Sequence, residues 1–268
     1  MPANQTYAHE GSSSAVEFFG TRTADVQAAF LLPLIAPEAD VLDCGCGPGS
    51  ITAGLARHAA RGRAVGVDIE AAQIEKANAM ATSEGLANLS FQTGDLFALP
   101  FDDASFEVVY SNGVLSHLSD PVSALAEMRR VLRPGGVAGV RLLDGGADVR
   151  HPIGSAVTRC QEIYYAIVEH HGGDLLMARR QKAMMQQAGF ARAEMTGACE
   201  YYGSPQATRA WAGLFDGLFG ESDLARQIVE AGISDRAELE RLRGEITDWG
   251  SSSEAFYAQV WTQAIGYA

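Results

Sequence analysis

The chain has 268 residues, of which 47% are hydrophobic and 20% charged. That composition buries a full core and excludes a disordered or low-complexity chain. Its formal net charge of −13 repels a phosphate backbone, and no basic stripe with interleaved aromatics reverses this locally, so neither nucleic acid nor an anionic membrane is expected as a partner. No apolar run reaches spanning length and the polar start Met1 to Ser14 lacks a charged-then-apolar leader pattern, so a cytoplasmic location is expected.

In chain order, residues 1–20 are polar and rich in glycine and serine but carry Tyr7, His9, Phe18 and Phe19, which suits a flap that orders over a ligand; a loosely docked tail is the alternative. An apolar-rich helix is expected from Thr21 to about Ile35, with Thr21 or Thr23 as cap and Pro33 and Pro37 ending it. Val41–Asp43, Ala64–Ile69, Leu89–Thr93, Glu107–Tyr110 and Val137–Leu143 then read as strands one to five. Helices Ile51–Ala60 and Ala71–Ser83 follow the first two strands. A third begins at Asp120-Pro121, with Val122, Leu125, Met128 and Leu132 on one face, and Pro134-Gly135-Gly136 stops it. Beyond strand five the pattern predicts helices over Pro152–Gly172 and Asp174–Ala188, a sixth strand over Phe190–Tyr202, a long helical stretch Pro205–Trp249, and a seventh strand over Ala255–Ile265.

Short strands alternating with helices mean an α/β fold built on a doubly wound, mostly parallel seven-stranded sheet. The helical insertions are expected to cap the carboxyl ends of the strands, where open α/β sheets bind ligands. The organisation is one structural domain: a lid segment and helix over 1–36, a cofactor-binding core over 37–144, and the remaining strands with helical cap insertions over 145–268.

The chemistry centres on Asp43-Cys44-Gly45-Cys46-Gly47-Pro48-Gly49-Ser50, a strand end, a tight turn and a helix start. Glycines belong where backbone must turn sharply and lie against a ligand. The dinucleotide fingerprint requires glycine or alanine at position 50, which is serine, and no Gly-Lys-Ser/Thr follows, so a phosphate-cradling loop is excluded. Asp68 ends strand two, where a carboxylate accepts from both ribose hydroxyls. The cysteines Cys44, Cys46, Cys160 and Cys199 match no common zinc spacing, and no metal is expected.

Asp-x-Gly-x-Gly-x-Gly is similar to the first motif of class I S-adenosylmethionine-dependent methyltransferases. Four further segments resemble the branch that methylates ubiquinone and menaquinone precursors: Gly94-Asp95-Leu96 with Leu99-Pro100-Phe101, Phe106-Glu107, His117-Leu118-Ser119-Asp120-Pro121, and Arg130 to Gly136. Glu107 departs from the usual Asp, and the resemblance stops near residue 144, so the branch's substrate does not transfer. It implies a Rossmann-like methyltransferase fold and S-adenosylmethionine as cofactor. It also implies that Gly45, Gly47 and Gly49 pack on the methionine and ribose, and that Asp43 supports the loop or reaches the amino group. Asp68 and Gln73, beside Ile69, would hold the ribose, and Asp95 and the Leu96 N–H, beside Gly94, the adenine; Asn112 would offer a carbonyl to the ammonium and Arg22 would pair with the carboxylate. His117 is the expected base, with Tyr7 beside it as a second catalytic candidate. The expected function is methyl transfer to a small molecule on oxygen, nitrogen or carbon. A non-methylating reaction on the same fold, and a cofactor-binding regulator, are the alternatives. A homo-oligomer is compatible with the sequence, which does not set the oligomeric state.

Overall fold

The computed structural model describes residues 13–154, 156–220 and 222–268. Seven strands form one sheet: β1 (Asp40–Cys44), β2 (Arg63–Asp68), β3 (Leu89–Thr93), β4 (Phe106–Asn112), β5 (Leu132–His151), β6 (Arg192–Tyr202) and β7 (Phe256–Tyr267). Their order across the sheet is β3-β2-β1-β4-β5-β7-β6. The first five pair in parallel and β7 runs antiparallel to both neighbours. Strands β1, β2 and β4 are buried nearly throughout because helices cover both faces, so their central residues are apolar or small without a polar alternation and their polar residues gather toward the ends. The order reverses between β1 and β4, which opens a crevice at their carboxyl ends.

Flanking β1 to β5 are α3 (Ser50–His58), α4 (Ala71–Glu84) and α5 (Pro121–Arg130). Asp120 caps α5 by accepting from the Ser123 amide at 3.0 Å. Before the sheet come α1 (Ser13–Gly20) and the single turn α2 (Ala24–Gln27). The helix expected over Thr21–Ile35 therefore breaks up. The Gln27 carbonyl accepts from the Tyr110 hydroxyl at 2.9 Å, and the Leu31 amide turns instead to the Ala28 carbonyl in a tighter turn.

The cap consists of α6 (Ala156–His170), α8 (Pro205–Phe219), α9 (Asp223–Glu230) and α10 (Arg236–Ser251). The expected stretch Pro205–Trp249 is three helices, because Ser222 and Asp235 start new ones by accepting from the Ala225 and Glu238 amides. Trp211 anchors this layer, with ring centroids 4.4 Å from Tyr257, 4.7 Å from Phe215 and 5.5 Å from Trp249. Each such pair is worth about 0.5–1.5 kcal/mol beyond burial, which makes the cap a rigid second core. Phe18 and Phe19 of α1 pack against that core.

Between the cap and β6, the helix expected over Asp174–Ala188 is a short 3-10 turn, Met177–Arg180, leading into α7 (Gln181–Gln187). Strand five runs further than its apolar run, to His151, because past a bulge after Leu143 it pairs again with β7, whose other edge is still held by β6. Among the described residues, no helix is long and apolar enough to cross a membrane.

Candidate active site

A cavity of about 730 Å³ lies where β1 and β4 diverge, between the sheet ends and the cap. Its floor is the Gly45–Ser50 turn, which hangs from β2: the amides of Gly45 and Cys46 both donate to the Val67 carbonyl, at 2.8 and 3.0 Å. Gly45 has φ +77°, and a Cβ there would collide with Val114 Cγ2. Gly47, φ +52°, has nothing within 4 Å of its missing Cβ, so its bare backbone faces open space at the cavity wall.

Asp68 ties the turn to the site. Its Oδ2 accepts from the Gly47 amide at 2.9 Å and its Oδ1 from the Glu70 amide at 3.0 Å. Burial raises its pKa, and those backbone bonds oppose the rise. Asp43, fully buried behind the turn, is pushed up to about 7 by burial; the Thr52 hydroxyl, donating at 2.7 Å, pulls the other way and the charge of Asp68 adds to the rise. The folded protein thus holds a proton that the unfolded chain gives up above 3.8, and stability falls as pH rises from there through about 7. Asp43→Asn, which cannot ionise, is expected to raise the melting temperature by several degrees at about pH 8 and by less at about pH 5; thermal scans at the two values check it.

Asp43, Asp68, Glu70 and Asp95 all border the cavity, and Arg22 is the one guanidinium among the described lining residues. Such a field repels a pyrophosphate and favours a ligand bearing cationic groups, hydroxyls and an amine. Gln73, also on this wall, has a buried Oε1 without a partner, the kind of acceptor a ribose hydroxyl completes.

Of the residues expected in the site, Arg22, Asp43, Gly45, Gly47 and Asp68 line this one cavity, together with Ile69, Gln73, Asp95, Leu96, Asn112 and His117. Gly49 and Gly94 do not. A Cβ at Gly49, φ +85°, would meet the Phe91 ring, and one at Gly94 would lie 3.2 Å from Pro100, so both glycines serve local packing instead. Tyr7 and His9 lie outside the described residues. Asn112 ends β4 and lines the cavity, but its side-chain oxygen, expected to meet the ligand's ammonium, accepts from Arg141 Nη1 at 3.2 Å. Arg141 is 1% exposed, donates from Nη2 to Glu200 at 2.7 Å, and lies 4.1 Å from the Trp261 ring centre. Nothing local in the sequence marks this pair, since Arg141 and Glu200 sit on strands brought together only through β7.

His117 closes the 3-10 turn after β4 and lines the cavity. Burial, helped by neighbouring His171, lowers its pKa to about 4, so it is neutral at physiological pH. The opposite wall is made by residues the motifs did not announce: Phe18 and Phe19 of α1, Gln161 of α6, Phe215 of α8, and Gln259 and Trp261 of β7. The Ser50 hydroxyl donates to the Phe19 carbonyl at 3.4 Å, tying α1 to the glycine turn.

The order of the sheet and the acidic crevice at its switch point define a Rossmann-like protein that takes a cationic nucleoside-type ligand. Residues 35–202 match a family model described as "Methyltransferase domain". The chain is 32% identical over 268 residues to "Probable methyltransferase ltbC" of Aspergillus luteorubrus, covering 93% of this chain and 92% of that one. Its fold is similar to the YcgJ protein of Bacillus subtilis, with TM-score 0.58, 18% identity and coverage of 90% of this chain and 97% of that chain. It is likewise similar to phosphoethanolamine N-methyltransferase 2 of Haemonchus contortus, solved with S-adenosyl-L-methionine, with TM-score 0.57, 18% identity and coverage of 95% and 56%. The chain belongs to the class I S-adenosylmethionine-dependent methyltransferases and transfers a methyl group from that cofactor to a small molecule. The match is to the superfamily and does not single out the quinone-biosynthesis branch.

Proposed function

We propose that the chain methylates a hydroxyl oxygen of a small molecule held between the glycine turn and the cap, with His117 as general base. The observation that carries this reading is a neutral imidazole among the residues that line the cavity. The cofactor supplies a methyl group already activated by its sulfonium. The protein's own task is to hold the acceptor in line, exclude water and take one proton.

Asp68 and Gln73 take the ribose hydroxyls; Asp95 and the Leu96 amide read the adenine edge, and Ile69, 66% exposed at the cavity wall, covers its face. Asp43 balances the ligand's positive charge from behind the turn. Arg22, stacked 4.5 Å from the Phe19 ring centre, takes the carboxylate. With a pKa near 4, His117 is a weak base, which suits an acidic hydroxyl such as a phenol or enol rather than an alkyl alcohol.

His117→Gln keeps a polar side chain of similar reach but no titratable nitrogen. It is expected to lower kcat by about 10²–10⁴-fold while leaving S-adenosylhomocysteine affinity within a few-fold. Turnover followed as homocysteine release, alongside calorimetric binding, separates the two. Undiminished kcat in the variant removes His117 from the chemistry.

A further inference from the structure

The part of the cavity under the cap differs in character from the cofactor end. Tyr164, Trp211, Leu214 and Phe215 give it flat apolar walls, and none of the groups it gathers from α6, α8 and β7 is a carboxylate, lysine or arginine. A strip of uncharged polar groups crosses it. Gln161, 3% exposed, donates from Nε2 to the Tyr165 hydroxyl at 3.3 Å and to the Tyr257 hydroxyl. Its Oε1 is buried and has no partner. Trp261, 4% exposed, has its indole Nε1 in the same condition. The nearest buried charges are ion-paired, Arg141 through Nη2 with Glu200 and Asp148 through Oδ1 with Arg150, although Arg141 Nε and Asp148 Oδ2 have no hydrogen-bond partner.

A buried donor or acceptor left unmade costs about 1–3 kcal/mol, so two of them on residues of one cavity wall call for a ligand that completes both. Gln161 Oε1 accepts only, so it requires a hydroxyl or N–H. The Trp261 indole donates only, so it requires an oxygen or nitrogen lone pair. Arg22 and Arg141 lie 5.2 and 4.1 Å from the Trp261 ring centre, but Glu200 holds Arg141 and Arg22 is the partner proposed for the cofactor's carboxylate. An ionised group would therefore leave water here without a free counter-ion, a loss of several kcal/mol.

We propose that the acceptor is an uncharged, ring-built molecule carrying a hydroxyl that binds Gln161 and a carbonyl-type oxygen that binds Trp261. The assignment rests on the methyl-transfer reading of the same cavity, and it makes Gln161 and Trp261 specificity-determining residues. The hydroxyl at Gln161 is then distinct from the one that His117 serves.

Four probes of one shape test it by equilibrium dialysis against protein saturated with S-adenosylhomocysteine, at about pH 6: 4-hydroxybenzophenone, benzophenone, 4-hydroxydiphenylmethane and 4-benzoylbenzoate. The first is expected to bind about tenfold tighter than each of the next two, which lack the hydroxyl and the carbonyl respectively, and tighter still than the charged fourth. Gln161→Leu should erase only the advantage over benzophenone, and Trp261→Phe only the advantage over 4-hydroxydiphenylmethane. Gln161→Met, which keeps the side chain's length, replaces the Leu variant if that one fails to fold, retained S-adenosylhomocysteine binding being the sign of folding. Binding of the charged probe as tight as the first, no binding of any probe to the loaded protein, or an equal shift of all probes in both variants overturns the proposal. Failure of the unmodified protein to bind S-adenosylhomocysteine would fall on the cofactor site and not on this assignment.

Discussion

Asp68→Ala is expected to weaken S-adenosylhomocysteine binding by at least about a hundredfold. In the proposed complex the carboxylate accepts two charge-assisted hydrogen bonds from the ribose, each worth about 1.5–3 kcal/mol, so the pair accounts for about 3–6 kcal/mol. The same carboxylate accepts from the Gly47 and Glu70 amides, so the variant also loosens the turn that forms the cavity floor. Asp68→Asn retains one oxygen and should fall between the two. Calorimetry on both variants, with circular dichroism to confirm the fold, decides the matter. An affinity within threefold of the unmodified protein in a folded Asp68→Ala variant would show that the carboxylate serves the turn alone.

Arg141→Met is expected to destabilise the protein by about 3–5 kcal/mol, because it strands Glu200 inside the fold. Burial by itself pushes Glu200 upward, yet the charges of Arg141 and Arg22 and a hydrogen bond from Gln27 outweigh it and hold the carboxyl below its ordinary value. Without Arg141 that balance reverses. A Glu200 whose folded pKa is raised loses stability as pH rises, so the defect should be smaller at about pH 4, where the group takes up a proton, than at about pH 8. The double variant Arg141→Met/Glu200→Leu replaces the pair with apolar groups of similar volume and should recover most of the loss. Urea unfolding of the single and double variants measures this. A single variant within about 1 kcal/mol of the parent would mean that Gln27, Tyr202 and the charge of Arg22 suffice to hold Glu200.

The amino-acid sequence by itself determined the doubly wound sheet and the crevice proposed to hold the cofactor. Every part of that crevice is local: a strand end, a turn and a helix start within a few residues, with Asp68 and Asp95 at the ends of the next two strands. Side chains whose positions follow from strand ends and glycine turns are readable as spacing, and eleven of the expected residues line one cavity. Helix limits were less legible where a tertiary bond took a carbonyl out of the ladder, as Tyr110 does at Gln27. Asn112 was read as a free acceptor because its place at the end of β4 is visible in the chain while its partner is not. Arg141 reaches it only through strand pairing. The acceptor chamber was decided by tertiary structure alone. Gln161, Trp211 and Trp261 lie on two helices and a strand separated by many residues, and an amphipathic helix shows which face is apolar without showing whether that face meets a core or an opening. Antiparallel β7, inserted between β5 and β6, carries Trp261 into the same cavity as the glycine turn and the cap residues.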